Sequence, residues 1–215
     1  MAKYNKPKKK LDAAEEMNIA RRQWEAYTRA RDHGHTDYIE IAKQCDAFYR
    51  GEQWDEADIA TLDDQGRPAL TINTILPTIN TVIGEQSTRR ADVQFKPRGA
   101  GMQEVADVLT RLYMQISDNN KLDWIESQVF SDGLIQDRGW FDVRIDFSDH
   151  IHGEIRVTQK DPLDIIIDPD AKEYDPKSWN EIFETKWMSL DDIEEVYGQD
   201  KADRLRVIAE VGSTL

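Results

Sequence analysis

The sequence predicts an α+β fold: an N-terminal helical segment followed by helices packed on a small antiparallel sheet. Two periodicities predict it. From Leu11 to about Gln136, apolar residues recur at spacings of three and four, as one face of a helix requires. From Phe141 the period drops to two, with Phe141, Val143, Ile145 and Phe147 alternating with Asp142, Arg144 and Asp146, the pattern of a strand buried on one face. Three segments follow: 1–35, a basic tail and first helix; 36–136, mainly helical; and 137–215, a small antiparallel sheet with flanking helices.

Taken in order, residues 1–10 read as disordered, and Met17, Ala20, Trp24 and Tyr27 mark one side of the first helix. Asp32-His33-Gly34-His35 breaks it, and Thr36 is placed to cap a second helix striped by Tyr38, Ile41, Ala42, Cys45 and Tyr49. Gly51 stands where a left-handed C-terminal residue is wanted. Asp55 caps a short helix, and Asp63 to Pro68 is turn chemistry. A helix beginning near Pro77 and closing at Arg89-Arg90 leads into a short strand, Ala91 to Lys96. After the hinge Gly99-Ala100-Gly101 comes the clearest amphipathic helix, with Val105, Val108, Leu109, Leu112 and Ile116 opposite Glu104, Asp107, Arg111 and Gln115. A further helix runs to about Gln136, then a hairpin over 141–147 and 154–158, and short strands at Ile165–Ile167 and Glu181–Met188. Ser189 and Asp192 form a variant capping box, with Met188 and Ile193 at staple positions, and Asp200 caps the last helix.

Composition narrows the function. The net charge is −14, and it is uneven: residues 1–31 hold nine Lys and Arg against four Asp and Glu, a balance of +5, which leaves −19 on the rest. A tight DNA-gripping protein needs the opposite sign on its body, because phosphate contacts by Lys and Arg dominate affinity. No apolar run approaches the roughly 20 residues of a membrane span, and the basic start is followed by no apolar signal segment. Cys45 is the single cysteine, so no internal disulfide exists, and its helical apolar context reads as a buried thiol.

The catalytic motifs are missing. There is no GxxxxGKS/T phosphate loop, and Gly99-Ala100-Gly101 lacks the third glycine of a dinucleotide site. HExxH, GxSxG and CxxC do not occur. Asp142, Asp146, Asp164, Asp168 and Asp170 lie on or beside strands, where converging carboxylates could hold Mg²⁺ for a two-metal nuclease. Their alternation with apolar residues and their places beside proline read instead as solvent-facing and turn positions. His33/His35 and His150/His152 read as exposed loop histidines, since zinc needs four ligands and no cysteine cluster accompanies them. No catalytic, cofactor-binding or metal-binding residue is assigned. The tryptophans are spread along the chain rather than gathered into a base-stacking platform, and most read as core. Trp54 and Trp179, in polar loop contexts, suit contact with a neighbouring subunit, where aromatics are enriched.

Several blocks in order carry a family resemblance: FYRGEQW (48–54), GRPALTIN (66–73), INTVIGEQ (79–86) with Arg89-Arg90, DVQFKPRG (92–99), GLIQDRGWFDVRIDF (133–147), GEIRV (153–157), DPLDIIIDPDA (161–171) and ETKWMSLDDIEEVYG (184–198). Together they resemble the portal, or head–tail connector, proteins of short-tailed tailed bacteriophages. The resemblance implies a non-enzymatic scaffold without a cofactor: a dodecameric ring at one capsid vertex, assembled in the host cytoplasm and retained in the virion. It implies as partners other copies of the chain, major capsid and scaffolding proteins, terminase, a tail adaptor, and double-stranded DNA passing through the channel, with no membrane partner. Terminase would supply the ATPase and nuclease. Such chains are several times longer, so the region here corresponds to the outer wing, with channel, clip and crown outside it. Arg67, Arg89 and Arg90 are the basic positions expected to bridge subunits or fix the wing, beside Trp54 and Trp179. The alternatives are a head-completion or adaptor protein, and a Mg²⁺-dependent nuclease on the Asp-rich strands.

Overall fold

The computed structural model describes residues 12–99, 101–148, 151–173 and 175–212. The readings made above for the basic tail to Leu11, for Ala100 and for His150 lie outside them. The chain divides into two compact units, the first running to Phe183 and the second starting at Glu184.

The first unit opens with helix α1, Ala13–Ala30, started by a reciprocal pairing of Asp12 and Glu15. The expected break at 32–35 is present: His33 (φ −110°, ψ 45°) and Gly34 (φ 148°, ψ −34°) leave helical torsions, so two helices meet at a kink within Arg31–His35. Thr36 is therefore not a cap: it opens α2, Thr36–Arg50, with helical torsions, and its hydroxyl donates back to the Arg31 carbonyl. Gly51 ends α2 in the left-handed conformation, φ 91°. Helix α3, Glu56–Asp64, is capped by Asp55, which accepts from the Asp58 N–H at 2.7 Å. Helix α4 spans Ile75–Thr88, α5 Gln103–Asn120 and α6 Leu122–Gln136. Residues 91–96 form no strand. The Phe95 N–H donates to the Thr110 hydroxyl of α5 at 3.1 Å, so a side chain takes the bond a neighbouring strand would have made.

The expected hairpin is present as β1, Trp140–Asp146, antiparallel to β2, Glu154–Lys160, with Val143 opposite Val157 and Ile145 opposite Ile155. The single sheet expected of this half is instead two two-stranded sheets, the second pairing β3, Ile165–Ile167, with β4, Ile182–Glu184. The strand expected over Glu181–Met188 is short because its partner has only three residues. One polar side chain finishes the hairpin edge. Asn120, the last residue of α5, donates from Nδ2 to the Ile155 carbonyl at 2.9 Å and accepts at Oδ1 from the Val157 N–H at 2.9 Å. A side-chain amide thus occupies the place of a third strand and ties β2 to α5.

The hairpin does not bury the face its alternation suggests. Val157 is buried against the helices, but the β1 residues on the same face stay open: Val143 is 65% exposed and Ile145 61%. The helices beneath cover β2 and reach the start of β1 but stop short of Val143 and Ile145. The opposite face is an ion-pair lattice, with Asp142 to Arg144 (3.4 Å) and Lys160 (3.6 Å), and Asp146 to Arg156 (3.1 Å). Helix α5 departs in the same way. It turns Ala106, Thr110 and Tyr113 inward and leaves the apolar stripe Val105, Val108, Leu109 and Leu112 exposed.

Other core expectations are corrected too. Cys45 is exposed, lying on the shoulder of α2 while Ala42 faces in. Trp24, Trp124 and Trp187 are exposed rather than core. Buried apolar residues in the first unit are Ala30, Ala42, Ala106, Ile125, Val129, Val157, Ile165 and Ile166. The second unit holds a helix pair of its own, α7, Leu190–Tyr197, and α8, Gln199–Gly212, packed on each other with Ala202 buried. Ser189 and Asp192 cap α7 reciprocally at 3.1 and 3.2 Å, as expected. Helix α8 starts one residue before Asp200, which sits in its first turn.

Gly139 sets how closely β1 approaches α6: a Cβ there would collide with the carbonyl oxygen of Val129. Gly139→Ala is expected to push the strand off the helix and cost about 1–3 kcal/mol, the usual penalty of overpacking. Urea unfolding checks it; an unchanged midpoint contradicts this close approach.

Candidate functional site

The block Phe48–Asn73 folds as a joint between three helices. Asn73 organises it. Its Nδ2 donates to the Tyr49 carbonyl at the end of α2 (2.8 Å), and its Oδ1 accepts from the N–H groups of Ile75 and Leu76 at the start of α4 (3.0 and 3.1 Å). One amide therefore satisfies the end of one helix and the beginning of another. Gly51 lies directly beneath it, where an added Cβ would meet Asn73 Nδ2 at 3.3 Å. The Tyr49 hydroxyl donates to Asn80 Oδ1 (2.9 Å), a second tie between α2 and α4. Trp54 is half exposed, its indole N–H reaching the Leu70 carbonyl at 3.4 Å. The connecting segment turns Leu70 and Ile72 outward, 75% and 85% exposed. Arg67 is exposed; its guanidinium donates to Gln65 Oε1 at 3.4 Å and its backbone N–H to the Leu62 carbonyl at 2.8 Å.

Arg89 and Arg90, adjacent in sequence, diverge in role. Arg89 is open to solvent and pairs with Glu85 on its own helix at 2.9 Å. Arg90 braces α4 to α6: its guanidinium donates to the Asp123 carbonyl (2.8 Å) and the Ser127 hydroxyl (2.7 Å) and pairs with the Asp123 carboxylate (3.1 Å). The Ser127 hydroxyl in turn donates to Gln86 Oε1 at 3.1 Å. Trp179 packs edge-on against Trp140, ring centroids 5.9 Å apart, and its N–H donates to the Glu173 carbonyl at 2.6 Å. It lines a shallow groove with Ile19, Gln23 and Ala26 of α1.

The Asp-rich segment is structural in its contacts. Asp168 is buried, accepting from the N–H of Asp170 (2.9 Å) and from the backbone (3.0 Å) and side chain (2.9 Å) of Asn180. The N–H groups of Asp170 and Asn180 hold its carboxyl below the ordinary carboxylate range, against the desolvation that pushes it up. Asp170 points to Arg29 at 3.8 Å, and Arg29 pairs with Glu181 at 3.1 Å. Among the described residues no three His, Cys, Asp or Glu side chains come together as a metal ion would require.

His35 corrects the expectation of a solvent-facing histidine. The kink at His33 and Gly34 turns it inward, 6% exposed, where Nε2 donates to the Leu163 carbonyl at 2.9 Å. Burial pushes its pKa below the usual imidazole range, and the nearby Arg138 adds to this. Arg138 lies 3.8 Å over the Tyr38 ring, a cation–π contact, and burial raises the Tyr38 phenol to about 12. The residues that sequence reasoning missed, Asn73, Asn120, Arg138 and Asn180, act through bonds to chain that is distant in sequence. Asn73 alone carried a local signal, an Asn just before a helix.

These features describe joints and open apolar faces. The sequence matches the phage P22-like portal protein family over residues 24–214. The chain belongs to that family. Membership makes this portal-family chain a structural component of the phage particle. No individually curated protein matches it. No helix among the described residues is long and apolar enough to cross a membrane.

Two groups in the portal-family chain make its stability fall with acid in two successive pH ranges. Folding depresses the pKa of His35, so stability falls as pH drops below the ordinary imidazole value of about 6.5 and the unfolded chain takes up the proton. Folding also depresses Asp168, so its contribution is present above about pH 4 and is lost as pH falls further. His35→Gln should flatten the upper limb. Asp168→Asn should flatten the lower one and cost about 1–3 kcal/mol at neutral pH, because an amide donor then faces the Asn180 donors. Chemical denaturation from pH 3 to 8 measures both; parallel pH curves for wild type and variants would contradict the assignments.

Proposed function

We propose that this chain is the wing-bearing part of a portal subunit of the short-tailed podophage type, and that copies of it form a dodecameric ring at the unique capsid vertex. The ring passes double-stranded DNA during packaging and ejection. It meets capsid and scaffolding proteins at its periphery and docks terminase and then the tail adaptor. The family match over residues 24–214 is the observation that carries this reading. Two physical features support it. The body outside residues 1–31 carries −19, so this part of the subunit is repelled by phosphate and does not grip a passing duplex. The large apolar surface left open on α5, β1 and the Leu70–Ile72 segment suits a subunit completed by its neighbours.

The test removes the gene from the phage and restores it as a gold-labelled copy. Without it, particles should contain no packaged DNA; with it, electron microscopy should find label at one vertex of each DNA-filled head. DNA-filled heads without the gene, or label on every vertex, would overturn the proposal.

A further inference from the structure

The hairpin has one finished edge and one open edge. On β2, the Val157 N–H and the Ile155 carbonyl are bonded to Asn120 and so point away from β1. Their partners across the ladder, Val143 and Ile145, therefore form its non-hydrogen-bonded pairs and turn their own N–H and C=O groups outward. By the same alternation Phe141 does so too. Among the described residues nothing bonds to these outward groups. β1 contains no Pro, Lys or bulge, the usual protections of a sheet edge. Its side chains Phe141, Val143 and Ile145 share one face and are 47–65% exposed.

We infer that β1 of one copy pairs antiparallel with β1 of a second copy, Val143 opposite Val143, joining two hairpins into one sheet. Asn120 closes the β2 edge, so β1 is the edge that this hairpin can offer another strand. A strand that pairs with its own copy about a two-fold axis must be self-complementary, and Trp140–Asp146 is so in one register. Centred on Val143, all seven residues of the strand pair. Phe141 then faces Ile145 of the second copy, an aromatic–β-branched pair, and the symmetry makes the same pair again. Asp142 faces Arg144 of the second copy in the same doubled way. The outward groups of Phe141, Val143 and Ile145 fall into hydrogen-bonded pairs. A centre at Asp142 sets that carboxylate against itself, and a centre at Arg144 does the same with the guanidinium; like charges directly opposite are destabilising. A centre at Phe141 or Ile145 leaves most of the strand unpaired. Arg144 is open enough to serve both copies, its side chain 55% exposed and 3.4 Å from its own Asp142. The pairing goes beyond the ring reading and does not rest on it. A two-fold contact joins two copies and stops, so it is not the repeated contact of a ring.

Cysteine cross-linking in the full chain tests the register, with Cys45 replaced by Ser to remove the exposed native thiol. Directly opposed residues lie about 4.5–5.5 Å apart between Cα atoms, within disulfide range. After mild oxidation, Val143→Cys alone should therefore give a covalent dimer. Asp142→Cys and Arg144→Cys sit diagonal to their own copies, beyond about 7 Å, so their equimolar mixture should give at least about tenfold more dimer than either alone. Arg144→Asp sets like charges across the seam and should weaken the dimer about tenfold in sedimentation equilibrium, or about 1.4 kcal/mol, with an unchanged circular dichroism spectrum. Adding Asp142→Arg to it should restore the dimer, which a misfolded variant would not do. A chain that stays monomeric at high micromolar concentration leaves the edge to a strand of another protein and overturns the pairing. Multimers in which Val143→Cys does not cross-link overturn it and leave the ring reading standing. Efficient dimers of Asp142→Cys alone, or a charge reversal that its complement does not restore, would overturn the register as well.

Discussion

The constraint on which the rest depends is a shortage of buried apolar volume. In the described residues the interior is made chiefly of alanine, valine and isoleucine, and Ile166 is the large side chain that is fully buried. Leucines, tryptophans and phenylalanines lie mostly on the surface. At about 25 cal/mol per Å² of apolar surface, a chain that leaves whole stripes of Val and Leu in water gives up a large part of the driving force available to it. A subunit that completes its burial against neighbours is the arrangement that recovers it. An obligate interface resembles a domain core cut in half, and the α5 stripe and the uncovered apolar face of β1 at Val143 and Ile145 have that character.

With a thin core, precise polar joints hold the helices in place. Asn73 closes α2 and opens α4, Asn120 finishes the β2 edge, Arg90 pins α4 to α6, and Asp168 gathers the loop around Asn180. Each ties backbone groups of one element to a side chain of another, through bonds that are part-buried or at the surface and of modest net worth singly. They fix directions rather than supply bulk stability. That suits the structural role of the family.

The legible part of the fold was the local part. Asp55, Gly51 and the Ser189–Asp192 pair act within one turn of their own positions, so their types and spacings announced the helix ends. The hairpin was equally visible from its period of two. Which apolar face meets the body was not. Periodicity shows that α5 is amphipathic, but the small face at Ala106 and Thr110 lets the helix approach closely, and the bulkier stripe is left outside. His35 was misjudged because the non-helical torsions of His33 and Gly34 kink the chain there and turn the following residue inward. Of the residues singled out for subunit contact, Trp54, Arg67 and Arg89 lie open to solvent, while Arg90 and Trp179 are engaged within the chain. The Arg90 bonds cross to Asp123 and Ser127, a link no local pattern announces.

The thermal unfolding midpoint, followed from nanomolar to high micromolar chain, tests most directly whether burial is completed between copies. Because association that favours the folded state ties stability to protomer concentration, the account predicts a midpoint that climbs by several degrees across about three decades of concentration. A midpoint that stays flat over that range, with the α5 stripe still open to solvent, would contradict it.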